Sequence, residues 1–310
     1  MTANLMFPYG PYPVVVVSHG YPGSRMLMSY LGENLATKGY VVVSIAHTDA
    51  TYSDFDANAW KSAFVYRSLD QRFIFDELER LNKEDGWLKG LMDTDKLGLI
   101  GYSMGGYGGL RTMGALMTDE IIASQGANSK LLQEKAGYQG DKRVKAAVLF
   151  APAGWFTPES LENITAPTLW VVGTADKTVG YKNVVDLWNN SENSDRYLLS
   201  YDGCGHNVAP NPEPKEAFDS TWDIAKRWVD PVWDTWRLDS INCHFVTAFF
   251  GAKLKGDISK LSYLDVKVPK GSDAVYSVGS DGKFTDKNSY WPGFYDQTAV
   301  GLTLEHKGAK

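Results

Sequence analysis

Apolar positions along this chain follow two alternating rhythms. Val14 to Val17 is a run of four valines closed by Ser18-His19-Gly20, and Tyr40-Val41-Val42-Val43-Ser44-Ile45 repeats the pattern. Short β-branched runs with no polar alternation predict strands buried on both faces, as in a parallel sheet. Between them, residues 29–38 carry Leu31 and Leu35 one turn apart and stop at Gly39, which predicts a helix and therefore a βαβ unit. Over residues 60–81, Phe64, Val65, Leu69, Phe73, Ile74, Leu78 and Leu81 recur near helical spacing, predicting an amphipathic helix laid on one sheet face.

The alternation continues with a strand over 96–102, a helix over 106–117 and a strand over 144–150. Strands over 167–173 and 196–201 then flank a helix over 181–189. Strands alternating with helices imply a mostly parallel sheet with right-handed crossovers, and such a sheet gathers its ligand site beyond the carboxyl ends of its strands. The polar stretch 124–141 reads as an insertion bordering that site as a partial lid. Residues 213–229 and 232–254 read as helices broken at Asp230-Pro231, followed by a Gly/Lys/Asp-rich tail from Lys255 onward. In that tail Tyr290-Trp291-Pro292-Gly293-Phe294 is expected to pack back on the body.

Composition narrows the class. A chain of 310 residues, 44% hydrophobic and 13% aromatic, suits one enzyme-sized domain over 1–310, with a core at 11–236 and a C-terminal extension at 237–310. The net charge of −6, with no Lys/Arg run, lacks the footprint expected for nucleic acid or an anionic membrane. No apolar stretch approaches the roughly 20 residues of a membrane span. Met1 to Tyr12 has no basic start and apolar run, so a cytoplasmic location is expected, or a periplasmic or secreted one if a signal has been removed. Cys204 and Cys243 match no metal spacing and read as two buried or partly buried thiols, with a single bridge as the alternative.

The chemistry concentrates at Gly101-Tyr102-Ser103-Met104-Gly105-Gly106, between a predicted strand and a predicted helix. Gly-x-Ser-x-Gly in that setting makes a nucleophile elbow, with glycines where the backbone comes too close for side chains. A serine hydroxyl needs an imidazole to take its proton and a carboxylate to orient that imidazole. In chain order Ser, Asp, His, the histidine is His206, in the glycine-bearing loop after the 196–201 strand; His244 lies inside a helical pattern and His306 near the terminus. Asp176 follows a strand end through Gly173-Thr174-Ala175, ahead of Asp186 in a helix and Asp202 beside His206. The expected oxyanion donors are the N–H groups of Met104 and, from the loop after the first strand, Tyr21, because Pro22 has none. Tyr107, Trp155 and Phe156 are candidates for an aromatic pocket wall or for the core. His19 and His47 stand at strand ends and receive no catalytic step. No metal or organic cofactor is expected.

The segments from Val17 to Arg25, Gly39 to Val43 and Gly101 to Gly106 resemble bacterial dienelactone-hydrolase-like esterases related to platelet-activating-factor acetylhydrolases. The elbow, Pro167 to Asp176 and Asp202 to Pro210 are similar to cutinase-type polyester hydrolases. The likeness covers residues 11–210 and implies an α/β-hydrolase fold, with a mostly parallel central sheet and helices on both faces. It implies a serine carboxylesterase with Ser103, Asp176, His206, Met104 and Tyr21 at the family positions. Those families begin with one or two strands before the Val14 run and lack so long a segment after the histidine, so the sheet is expected to be shortened at its start and extended by C-terminal helices. True dienelactone hydrolases carry cysteine at the elbow, where this chain has Ser103. The expected partner is a small or polymeric ester. Amide or lactam hydrolysis and acyl transfer use the same acyl-enzyme, and a non-enzymatic binding protein on this fold is the remaining alternative.

Overall fold

The computed structural model describes residues 10–48, 50–51, 60–126, 130, 138–212 and 228–310, Trp60 by its backbone alone. The first half runs β1 Tyr12–Ser18, α1 Ser29–Thr37, β2 Val41–Ile45, α2 Trp60–Lys83, β3 Met92–Tyr102, α3 Met104–Thr112 and α4 Asp119–Ser124. The second half runs β4 Val144–Phe150, α5 Pro158–Leu161, β5 Thr168–Gly173, α6 Tyr181–Asn190, β6 Arg196–Tyr201, α7 Thr235–Lys253 and β7 Leu302–Lys307. Among the described residues the strands form one seven-stranded sheet in the order β2-β1-β3-β4-β5-β6-β7. β1 to β6 are parallel and β7 runs antiparallel to β6. This is the α/β-hydrolase architecture, mostly parallel with helices on both faces.

The valine run explains the layering. Successive side chains in a strand point to opposite faces, so Val15 and Val17 join the core under α1 and α7 while Val14 and Val16 join the core under α2 and α3. The chain leaves β1 toward β2 on one side and returns to β3 on the other. The switch in strand order therefore falls between β1 and β3, the place beyond the strand ends where sheets of this kind bind their ligands.

Two expectations change. The apolar stripe assigned to α2 is rotated: Leu69 and Phe73 are exposed, whereas Arg67, Ser68 and Gln71 are buried at 1% exposure or less. The cause is close packing on α3, where a Cβ on Gly108 would sit 2.7 Å from the Arg67 Cβ. The tail also supplies β7, a strand that the mixed composition hides. Trp291 folds back as expected, is buried, and its indole N–H donates to the Val268 carbonyl. The helix expected at 213–229, but for its last two residues, and most of the lid at 124–141 lie outside the described residues, and 228–233 is irregular chain with a turn and a bend. Both cysteines are free thiols. Among the described residues no helix is long and apolar enough to cross a membrane.

Inside the α7 layer, Asp239 is 6% exposed. Burial pushes its carboxyl up to about 8; the Tyr30 hydroxyl opposes that shift and Asp234 adds to it. The folded protein therefore holds this proton where the unfolded chain has lost it. Stability should fall as pH rises from the unfolded carboxylate range to about 8, and flatten above it. Asp239→Asn is expected to raise Tm by about 5 °C at pH 8 and by almost nothing near pH 4. Melting curves at both pH values check this, and a shift equal at both would contradict it.

Candidate active site

β3 ends in Tyr102 and α3 begins at Met104, leaving Ser103 alone at the turn with φ 52° and ψ −113°. Few non-glycine residues adopt a positive φ, so the turn is strained and lifts the side chain off the sheet edge. The two flanking glycines make the turn possible. A Cβ at Gly101 would lie 2.6 Å from the Gly105 carbonyl oxygen, and one at Gly105 would lie 2.0 Å from that of Ser18. The helix thus begins directly against the end of β1.

Ser103, His206 and Asp176, predicted from different strand ends, meet here. Ser103 Oγ lies 3.0 Å from His206 Nε2, and His206 Nδ1 lies 2.8 Å from Asp176 Oδ2. A carboxylate only accepts, so Nδ1 carries the proton and Nε2 is left as the acceptor for the serine hydroxyl. Asp176 Oδ1 takes the N–H groups of Thr178 at 2.8 Å and Val179 at 3.1 Å. Burial alone would raise the Asp176 carboxyl, but the His206 hydrogen bond and charge, with those two amides, outweigh it and hold it below the usual carboxylate range.

The His206 loop is held from three sides. At Gly173 a Cβ would meet the Cys204 carbonyl oxygen at 2.2 Å, so only glycine lets the loop lie over β5 next to Asp176. The Gly205 N–H donates to Asp230 Oδ2 at 2.6 Å. The Tyr102 ring packs 5.3 Å from the imidazole. Asp230 was legible only as a helix breaker; its grip on the loop is a tertiary contact 25 residues away in sequence.

Met104 is the first residue of α3, so its N–H is one of the four that no intrahelical carbonyl can accept. The Ser103 carbonyl of the same peptide accepts from Tyr107 N–H at 3.0 Å and Ala153 N–H at 3.1 Å. Tyr21 sits in the loop after β1, and its own peptide bond to Pro22 is cis. Of the aromatic wall candidates, Trp155 is 45% exposed with its ring 5.4 Å from Phe64. Tyr107 does not line an open wall. It is fully buried, donates to the Phe64 carbonyl at 3.0 Å and stacks on the buried Phe156. Both rings serve the core because α3 presses them against α2 and the segment after β4.

The profile of a family described as PET hydrolase-like matches residues 8–128. Cutinase est2 of Thermobifida alba is 27% identical over 224 residues, covering 71% of this chain and 60% of that protein. A cutinase of Thermobifida fusca (strain YX) is 26% identical over 221 residues, covering 71% of this chain and 60% of the cutinase. A platelet-activating factor acetylhydrolase of Cavia porcellus is 30% identical over 138 residues, 33% of this chain and 32% of that enzyme. The chain spans about three fifths of the length of these cutinases. Sheet order, serine turn and sequence likeness agree: the chain has the α/β-hydrolase fold and is similar to the cutinases and to PET hydrolase-like proteins.

Proposed function

We propose that this chain is a carboxylic ester hydrolase in which Ser103 is the nucleophile, His206 the general base and acid, and Asp176 the group that orients His206. The observation that carries this reading is the unbroken chain of contacts, 3.0 Å from serine to imidazole and 2.8 Å from imidazole to carboxylate, at a strained turn beyond the sheet. Ser103 Oγ bonds to the ester carbonyl carbon while its proton passes to His206 Nε2. The carbonyl oxygen becomes an oxyanion facing the N–H groups of Met104 and Tyr21. Collapse breaks the bond to the alcohol oxygen, which takes the proton from His206. Water, deprotonated by His206, then attacks the acyl-enzyme, and Ser103 regains its proton.

The likeness to cutinases and to a family described as PET hydrolase-like favours polyester as a substrate class, and the half-exposed Trp155 ring after β4 gives an apolar or aromatic acyl group a surface to lie on. Amide hydrolysis and acyl transfer have no observation of their own here. A p-nitrophenyl ester series from acetate to decanoate, run with a fluorophosphonate probe, tests the reading. Hydrolysis with the probe attached stoichiometrically to the Ser103 peptide is expected. A protein that hydrolyses none of these esters and takes no probe is not a serine esterase.

A further inference from the structure

Behind the loop Gly20–Tyr21 lies a second Ser-His-Asp string. Ser18 Oγ is 2.8 Å from His47 Nε2, and His47 Nδ1 is 2.6 Å from Asp70 Oδ2. It is not a second hydrolytic centre. Ser18 is 0% exposed and His47 2%, so no ester carbonyl reaches them. The Ser18 hydroxyl is also engaged from the far side by Gln71 Nε2 at 3.0 Å.

Following the donors shows where the string leads. Asp70 accepts from His47 Nδ1, so His47 Nε2 accepts from the Ser18 hydroxyl. Gln71 is fixed in orientation: its Oε1 accepts from Thr112 Oγ1 at 2.8 Å, and its amide nitrogen donates to Ser18 Oγ and to the Gly105 carbonyl at 3.1 Å. The His47 backbone N–H donates to His19 Nε2 at 3.2 Å, so His19 Nδ1 bears the proton and donates to the Gly20 carbonyl at 2.7 Å. A Cβ at Gly23 would lie 2.5 Å from His19 Nδ1, so the loop closes over the ring only because residue 23 is glycine.

Arg67 reaches the same carbonyl. Its Nη2 donates to Gly20 O at 2.9 Å, while among the described residues Nε and Nη1 have no partner although the side chain is 1% exposed. Burying a guanidinium with two unpaired nitrogens is costly, and such an arrangement persists where the charge has a use. Gly20 C=O and Tyr21 N–H belong to one trans peptide, so they point in opposite directions. Anchoring the oxygen from behind aims the N–H forward. Two donors on one carbonyl also polarise that peptide and strengthen its N–H as a donor. The Ser103–Met104 peptide is built the same way, with its carbonyl doubly occupied and its N–H facing out of the helix start.

We propose that Arg67 and His19, braced by Ser18, His47, Asp70 and Gln71, are positioning residues that aim and polarise the Gly20–Tyr21 peptide as an oxyanion donor. The inference deepens the ester-hydrolase reading and rests on it. Arg67 and Gln71 stand one turn apart on α2; Arg67 holds the Gly20 carbonyl in the loop that carries Tyr21, and Gln71 holds the Gly105 carbonyl in the first turn of α3, which carries Met104, so α2 sets the spacing between the two donors.

Arg67→Met, Arg67→Lys and Asp70→Asn test this, the last at the end of the string where the carboxylate is 35% exposed. Each is compared with wild type and Ser103→Ala on a p-nitrophenyl ester, with active sites counted by fluorophosphonate labelling. Arg67→Met is expected to lower kcat per labelled site by about 30-fold, with KM within about 3-fold. It should weaken phenylboronic acid, whose adduct carries the oxyanion, by a similar factor. Arg67→Lys, which keeps one donor, should recover part of the loss, and Asp70→Asn should lose about 5-fold. A merely structural role would lower the labelled fraction and Tm while leaving kcat per site and boronate affinity alone; that result overturns the proposal. Should Arg67→Met not fold, Arg67→Lys and Asp70→Asn decide by the same criterion. Ser103→Ala as active as wild type would instead remove the ester-hydrolase reading, and this proposal with it.

Discussion

Replacing Ser103 with alanine is expected to lower kcat on a p-nitrophenyl ester by roughly 10⁵-fold or more, with the fold unchanged. Alanine removes one oxygen and keeps the Cβ that the turn at φ 52° already tolerates, so neither packing nor backbone strain changes much. What disappears is the atom proposed to receive the acyl group. His206→Ala removes the base in contact with that atom, 3.0 Å away, and should cost a similar factor. The double variant should be no worse than either single, because the residues act as one unit and the residual rate comes from substrate binding and the oxyanion donors. Steady-state rates of the two singles and the double, matched by circular dichroism, measure this. A Ser103→Ala protein retaining more than about a hundredth of wild-type kcat would remove the serine from the mechanism.

The parts legible in the sequence share a cause. Buried parallel strands must be apolar and β-branched throughout, so Val14 to Val17 and Tyr40 to Ile45 announce themselves, and the turns at their ends need glycines that mark Ser103 and His206. The candidate active-site residues then follow from strand ends and chain order. What stayed hidden depends on which side of a helix is buried. Arg67, Asp70 and Gln71 look like the wet face of α2, and the apolar Leu69 and Phe73 look like its core face, yet the structure has Arg67 and Gln71 inside and both hydrophobes exposed. Periodicity counts polarity, and a satisfied buried network is polar. β7 was invisible for a related reason: an antiparallel edge strand alternates, and Leu302-Thr303-Leu304-Glu305-His306-Lys307 carries only two buried side chains. The shortened sheet start expected from family resemblance concerns residues 1–9, which lie outside the described residues.

Asp176→Asn should lower kcat by about 10⁴-fold, more than the loss of a negative charge near the site would suggest, and the reason lies in how the carboxylate is held. Oδ1 accepts two backbone N–H groups, from Thr178 and Val179, and must remain an oxygen; Oδ2 faces His206 Nδ1 at 2.8 Å. In the asparagine variant the amide oxygen therefore keeps the Oδ1 place, and the NH₂ group is forced toward His206. Two donors cannot share a hydrogen bond, so the imidazole proton moves from Nδ1 to Nε2. Nε2 then presents a proton to Ser103 Oγ in place of a lone pair, and the serine keeps its own. Asp176→Ala leaves space for water, which can accept from Nδ1–H, and should keep the working tautomer more often. The prediction is that alanine is the less damaging substitution, by about 10-fold, although it removes more. Rates for the two variants at one pH decide it. Asparagine as active as wild type, or more active than alanine, would mean that the tautomer of His206 is not set by Asp176.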